Sequence, residues 1–191
     1  PKTNTLGRGH TVSFSTKTFV PAIRLLSKAK SKMVHLEDRK GKTLVSTSGT
    51  SNLKQVTELN GSKNLGINIV TAADHPAAFQ MVESDRAAAF AMDDILLYSL
   101  VAQSTHPAEF FISSVQLSTE PYGIMVRKGD AEFTKIGDDV IIALLKSGEL
   151  NKIYAKWFPS AHAPKNGKPD VPSSANLHEG TAHAPESSRQ R

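Results

Sequence analysis

The chain has 191 residues, 39% of them hydrophobic and 21% charged, which suits a globular protein of one domain or two small lobes. Its 23 Lys and Arg against 18 Asp and Glu give a net charge of +5, but the cations are scattered without an aromatic-interleaved basic stripe, which argues against nucleic acid and leaves a mild field suited to a small anionic ligand. The absence of cysteine excludes a disulfide framework and a thiolate metal site, and no apolar run reaches the roughly 18 residues that a membrane-spanning helix needs.

No charged-then-apolar leader opens the sequence at Pro1, so the expectation is a mature, truncated or non-exported chain. Phe14 to Leu26 reads mostly as extended chain. Thr43 to Thr47 is a short β-branched run that ends in Ser48-Gly49-Thr50. A helix follows, with Leu53, Val56 and Leu59 on one face and Asn60-Gly61 as its stop. Ile67 to Thr71 is a strand, and Asp74 caps a helix with Pro76 in its first turn and Phe79 and Val82 on its buried side. Ala87 to Met92 is a strand, Asp93 to Val101 a helix start and helix, and Tyr122 to Val126 a strand. Ala131 to Lys146 is the clearest helix, with Phe133, Ile136, Val140, Ile141, Leu144 and Leu145 forming one stripe. Gly148 ends it, and a last helix runs through Leu150, Ile153 and Trp157. From Ser160 to Arg191 apolar periodicity disappears, and the segment reads as a disordered tail. Its histidines, His162, His178 and His183, are too irregularly spaced for a good metal site.

Strands alternating with helices predict an α/β fold with a largely parallel sheet. Such sheets bind ligands beyond the carboxyl ends of their strands. That rule selects Ser48-Gly49-Thr50-Ser51, Asp74-His75 and Asp93-Asp94, each directly after a predicted strand. Small hydroxyl residues and a glycine at a helix start attract an anion, and they also serve as ordinary helix caps. His75 at a helix start is costly to protonate unless an anion is near, or is a solvent-facing first-turn residue. A carboxylate at Asp93 or Asp94 can receive an ammonium group, or cap the next helix. Arg8, in the polar stretch from Thr3, is suited to bidentate carboxylate recognition, or is an ordinary solvated arginine. Together these residues match a zwitterion carrying an extra acid.

Lys42-Thr43-Leu44-Val45-Ser46-Thr47-Ser48-Gly49-Thr50-Ser51, Ala73-Asp74-His75, Ala89-Phe90-Ala91-Met92-Asp93-Asp94 and Pro121-Tyr122-Gly123-Ile124-Met125-Val126-Arg127-Lys128 follow one another in order. With the closing Ser147-Gly148-Glu149 and Lys156-Trp157-Phe158, the series resembles the family 3 solute-binding proteins of ABC importers. Within that family it looks most like those that bind glutamate and aspartate. The resemblance covers residues 3 to 158 and implies a type II periplasmic-binding-protein-like fold, α/β and two-lobed, with the second lobe complete and the first incomplete. The implied division is 1–19 as first-lobe remnant and hinge, 20–115 as second lobe, 116–158 as hinge and carboxyl-terminal part of the first lobe, and 159–191 as tail. Family members carry a further stretch before the position of Thr3, so a first lobe without it is expected to expose strand edges and apolar faces.

The resemblance also implies roles. Thr3 and Arg8 belong to the first lobe, with Arg8 on the ligand's α-carboxylate. Thr50 and Ser51 form the hydroxyl loop, His75 contacts the acidic side chain, and Asp93 receives the α-ammonium with Asp94 beside it. Glutamate or aspartate is the implied ligand, a membrane permease the implied partner, the periplasm the implied compartment and a monomer the implied state. No cofactor, metal, nucleic acid or catalysis is expected. Two rivals stand beside this reading. One is a non-binding or partner-dependent fragment. The other is an enzyme such as a dehydratase on the same fold, or a hydrolase drawn from Ser48, His75 and Asp93, although Ser48 lacks a Gly-x-Ser-x-Gly elbow.

Overall fold

The computed structural model describes residues 2–31 and 33–157. The predicted tail, its three histidines and Phe158 lie outside the described residues, as does the side chain of Trp157. The chain divides into two compact units, one built from residues 2–21 and 120–157 and the other from Ala22–Thr119. The first unit opens with β1 (Lys2–Thr3), α1 (Leu6–Gly9) and β2 (Val12–Phe14). The second holds β3 (Ala22–Lys28), β4 (Thr43–Thr47), α2 (Ser51–Ser62), β5 (Asn68–Ala72), α3 (His75–Glu83), β6 (Ala89–Asp93), α4 (Asp94–Gln103), β7 (Phe110–Ile112) and β8 (Ser118–Thr119). The chain then returns to the first unit with β9 (Tyr122–Gly123), β10 (Met125–Arg127), α5 (Ala131–Ser147) and α6 (Glu149–Trp157).

The second unit is built on a six-stranded sheet in the order β5-β4-β6-β3-β7, with β8 also pairing β3. Strands β5, β4 and β6 are mutually parallel, in a register that sets Thr47 beside Ala72 and Val45 beside Phe90. β3 runs antiparallel to β6, β7 and β8. The sheet is therefore mixed rather than largely parallel. The cause is the connection from β3 to β4, which carries only two 3-10 turns, Ala29–Ser31 and Leu36–Arg39. Without a crossover helix the chain re-enters at the edge it left, and β4 points the opposite way.

Both faces of this sheet are covered. Successive residues alternate between faces, so Leu26, Val45, Phe90 and Met92 pack with Ala78, Phe79, Val82 and Leu97 of α3 and α4. Leu25, Leu44, Ala89 and Ala91 pack with Val56 of α2 and with Leu36 on the other side. This two-sided burial explains why β6 has no polar alternation, since all five of its residues are buried. The helix starts follow the sequence: Asp74 accepts the Ala77 N–H at 2.8 Å, and Pro76 occupies the first turn. One stop differs from expectation. α2 continues through Asn60-Gly61 to Ser62, because Asn60 brackets Ile67, accepting its N–H at 3.0 Å and donating to its carbonyl at 2.9 Å. The turn comes instead at Asn64, whose φ is +49°.

In the first unit, β1 pairs β9 and β2 pairs β10, both antiparallel. The single strand expected from Tyr122 to Val126 is thus two, one on each side of Ile124. Asp130 caps α5 by accepting the Phe133 N–H at 3.1 Å, and Gly148 ends the helix at φ +75°, a conformation that costs glycine little. The apolar stripe expected on α5 is split. Ile141 is buried, while Phe133, Ile136 and Val140 are each more than half exposed. Periodicity marks an apolar face but not what covers it, and here a second face has no cover among the described residues. Replacing Phe133 by Gln, Ile136 by Lys and Val140 by Lys together is expected to lower binding of a hydrophobic dye. Each change should shift stability by no more than about 0.5 kcal/mol, as exposed positions do. A markedly larger fall in urea denaturation would mean that the stripe is already covered in solution.

Candidate functional site

Because β4, β5 and β6 are parallel, their carboxyl ends share one edge of the second unit. The three segments selected from the sequence follow those ends, and the Ser48 N–H donates to Ala72 O at 2.9 Å, tying the first to the end of β5. Gly49 turns the chain into α2 at φ +71°, in the left-handed region where a side chain would strain the backbone. Thr50 is the N-cap of α2. Its hydroxyl accepts the Leu53 N–H at 3.2 Å and donates to Thr47 O at 2.7 Å, so the capping role is real and half-buried. Ser51 is the first residue of α2 and is half-buried beside it.

His75 is the first residue of α3 and half-buried. Its Nδ1 lies 2.7 Å from the Thr47 hydroxyl at the end of β4. That contact fixes the ring's plane at the sheet edge, which an ordinary solvent-facing first-turn histidine would not need.

Asp93 and Asp94 are adjacent in sequence but have separate surroundings. Asp93, 2% exposed, ends β6 and accepts from Asn52 Nδ2 at 2.8 Å. It occupies the N-cap of α4, yet its side chain makes no capping hydrogen bond. Asp94 is 0% exposed and points into the unit. It accepts from Arg24 Nε at 3.3 Å and from the N–H groups of Ala22 at 3.3 Å and Ile95 at 2.8 Å. Burial raises its carboxyl above the ordinary value, while the Ala22 N–H, Arg24 and the Ile95 N–H pull it back. Arg24, itself 1% exposed, also donates to the carbonyls of Ser113, at 3.1 Å, and Ser114.

Thr3 and Arg8 belong to the first unit. Thr3 is buried in β1 beside Tyr122, and its carbonyl accepts from Arg8 Nη1 at 2.9 Å. Arg8 is half-buried in α1, with its N–H held by the Thr5 hydroxyl at 3.3 Å. Among the described residues no carboxylate pairs with it. The structure therefore collects Thr50, Ser51, His75 and Asp93 at one sheet edge, turns Asp94 inward, and places Thr3 and Arg8 on the other unit.

Three residues escaped the sequence reading: Thr47, Asn52 and Arg24. Asn52 had a signal, since it precedes Val56 by four residues and Leu59 by seven, which puts an amide on the apolar face of α2. Arg24 had one too, as a cation inside the apolar run Ala22-Ile23-Arg24-Leu25-Leu26 must find a buried partner.

Comparison with known proteins bears on the family and the fold. Residues 2–160 match the bacterial extracellular solute-binding proteins, family 3. A Pseudomonas aeruginosa L-glutamate/L-aspartate-binding protein is 42% identical over 92% of this chain and 58% of its own length. A Salmonella typhimurium glutamate/aspartate import solute-binding protein is 41% identical over 86% of this chain and 54% of its own length. The chain thus spans little more than half the length of these relatives. Among solved structures, an ancestral arginine-binding protein bound to arginine superposes with a TM-score of 0.74 at 31% identity, over 82% of this chain and 69% of that one. The GluR0 ligand-binding core from Nostoc punctiforme, in complex with L-glutamate, superposes at 0.70 and 20% identity, over 82% of this chain and 70% of that one, a likeness of fold alone. The fold is the type II periplasmic-binding-protein fold, mixed α/β, and the chain belongs to the bacterial extracellular solute-binding proteins of family 3.

Proposed function

We propose that this chain serves an ABC importer as an amino-acid-binding component and that its ligand is glutamate or aspartate. The carrying observation is the shared edge at the ends of β4, β5 and β6, which holds helix-start hydroxyls, a histidine fixed by Thr47 and a carboxylate fixed by Asn52. A helix start with hydroxyls receives a carboxylate through N–H and O–H donors. In this reading the Thr47 hydroxyl, 2.7 Å from His75 Nδ1, is the donor, which leaves the imidazole proton on Nε2 to donate to the ligand's second carboxylate. Asp93 receives the α-ammonium. Asp94 serves as the buried counter-ion of Arg24 and stays out of the ligand set. Arg8, with Thr3, is proposed to recognise a carboxylate, on the strength of a held guanidinium with no acidic partner among the described residues.

Two relatives named for glutamate and aspartate support this ligand, whereas the superposed arginine-binding protein shares the scaffold. Scaffold likeness does not carry specificity, which lies in the side chains at the site. A guanidinium at this edge would face His75 instead of a carboxylate. The remaining parts of the reading rest on the family: a periplasmic location, a membrane permease as partner, a monomeric state and binding without catalysis. Where the relatives are longer, we propose that their additional segment completes the first lobe and the clamp.

Calorimetry on this chain, and on a chimera carrying the segment of the Pseudomonas relative that precedes the match, tests the reading. The chimera is expected to prefer glutamate or aspartate over arginine, histidine and glutamine. The chain alone should bind at least about tenfold more weakly, a loss of about 1.4 kcal/mol. A preference for arginine or glutamine sinks the ligand assignment, and equal affinities sink the account of the clamp.

A further inference from the structure

The second unit has a concave surface at the edge opposite the amino-acid site. A cavity of about 360 Å³ opens where β3 ends and where β4 and β6 begin, within the size range of small-molecule pockets. Its walls include Lys28, Lys30, Lys42 and Arg86, with Asp85 as the one carboxylate and Met33 as an apolar wall. Four cations against one acid is a strong local excess, because the unit as a whole, Ala22–Thr119, has ten Lys and Arg against nine Asp and Glu. The strands between the two edges are five residues long, so the cavity lies roughly 15 Å from the ends that carry Ser51, His75 and Asp93.

The charges at this cavity are poorly neutralised. Lys30 meets Asp85 at 3.8 Å with both side chains more than 60% exposed, and Lys28 meets Glu109 at 3.7 Å. Among the described residues Lys42 and Arg86 pair with no carboxylate, and Arg86 Nε instead donates to the Ser84 hydroxyl at 3.0 Å. A further cation is bonded to Met33. Arg39 is fully buried, donates to Met33 O at 2.9 Å and His35 O at 3.1 Å, and has no acceptor for its Nε among the described residues. Its closest carboxylate, Asp38, is 3.8 Å away. A buried guanidinium bonded to a residue of the cavity wall, together with the lining cations, adds positive potential to a concave site, which gathers anions.

We infer that this cavity is a second binding site, for a small polyanion of the phosphate type. Lysines act as point charges, and the several charged oxygens of a phosphate-type polyanion can meet several of them at once, which a single carboxylate cannot. No aromatic side chain lines the cavity to stack a nucleic-acid base. The site would let a phosphorylated or polyphosphate ion bind without occupying the amino-acid site.

Titration calorimetry of the full 191-residue chain with inorganic pyrophosphate tests the inference. Saturable binding is expected at low ionic strength, weakening as salt rises because the cations are exposed. The double variant Lys42→Ala, Arg86→Ala removes two exposed side chains, so it should melt like the parent while binding pyrophosphate at least about tenfold more weakly. Saturating glutamate should leave the pyrophosphate titration unchanged. Equal affinity in the double variant, competition by glutamate, or saturation by phosphatidylglycerol vesicles without any binding of free pyrophosphate would each overturn it. The first two outcomes place the anion elsewhere, and the third assigns the surface to a lipid headgroup.

Discussion

Asp94→Ala is expected to destabilise the second unit by about 3–5 kcal/mol, the usual loss when one partner of a buried ion pair is removed. Arg24 would keep its carbonyl partners at Ser113 and Ser114 but lose Asp94, which at 3.3 Å is its one carboxylate partner among the described residues, in a place with 1% exposure. The two freed N–H groups, from Ala22 and Ile95, add to the loss. Urea denaturation followed by circular dichroism reads the change. The double variant Arg24→Met, Asp94→Leu should recover the part due to the unpaired guanidinium, since an apolar pair of similar volume buries neither charge, but not the part due to the freed N–H groups of Ala22 and Ile95. A small effect of Asp94→Ala, under about 1 kcal/mol, would show that water reaches Arg24 and would return Asp94 to the candidate ligand set.

Local chemistry made part of this molecule legible. Asp74 caps its helix because its partner, Ala77, is three residues away, and the hydroxyl loop after β4 follows from a β-branched run meeting Gly49. What stayed hidden depends on partners distant in sequence. Asn52 and Asp93 are 41 residues apart, Thr47 and His75 are 28 apart, and Arg24 and Asp94 are 70 apart. No periodic pattern links such pairs, so the sequence could nominate both aspartates but not divide their tasks. Strand direction was hidden for a related reason. The residues of β3 read as strand whichever way they run, and the direction is set by a connection too irregular to form a crossover helix. On α5 the 3.6-residue period is clear, but Ile141 inside and Val140 outside differ in what lies beside the helix.

Asp93 carries the largest expected effect on binding. Its carboxylate is almost fully buried and fixed by Asn52, and it makes no capping bond to α4. If it receives the ligand's ammonium, Asp93→Ala leaves that ammonium buried and unpaired, and binding should weaken by about 2–5 kcal/mol. Asp93→Asn separates charge from shape. The amide oxygen can still accept from Asn52, so the melting temperature should stay close to that of the parent, while affinity falls because the negative charge is gone. A helix cap would behave differently. Asn caps as well as Asp, Ala costs about 1 kcal/mol of stability, and neither change would touch affinity directly. Both variants should be made in the chimera that carries the relative's preceding segment, with calorimetry for glutamate and thermal melting side by side. Loss of affinity in Asp93→Asn without loss of melting temperature is the expected pair of results. Unchanged affinity would remove Asp93 from the site, and the ammonium would then need another carboxylate at the ends of β4, β5 and β6, where Asp74 already holds the Ala77 N–H.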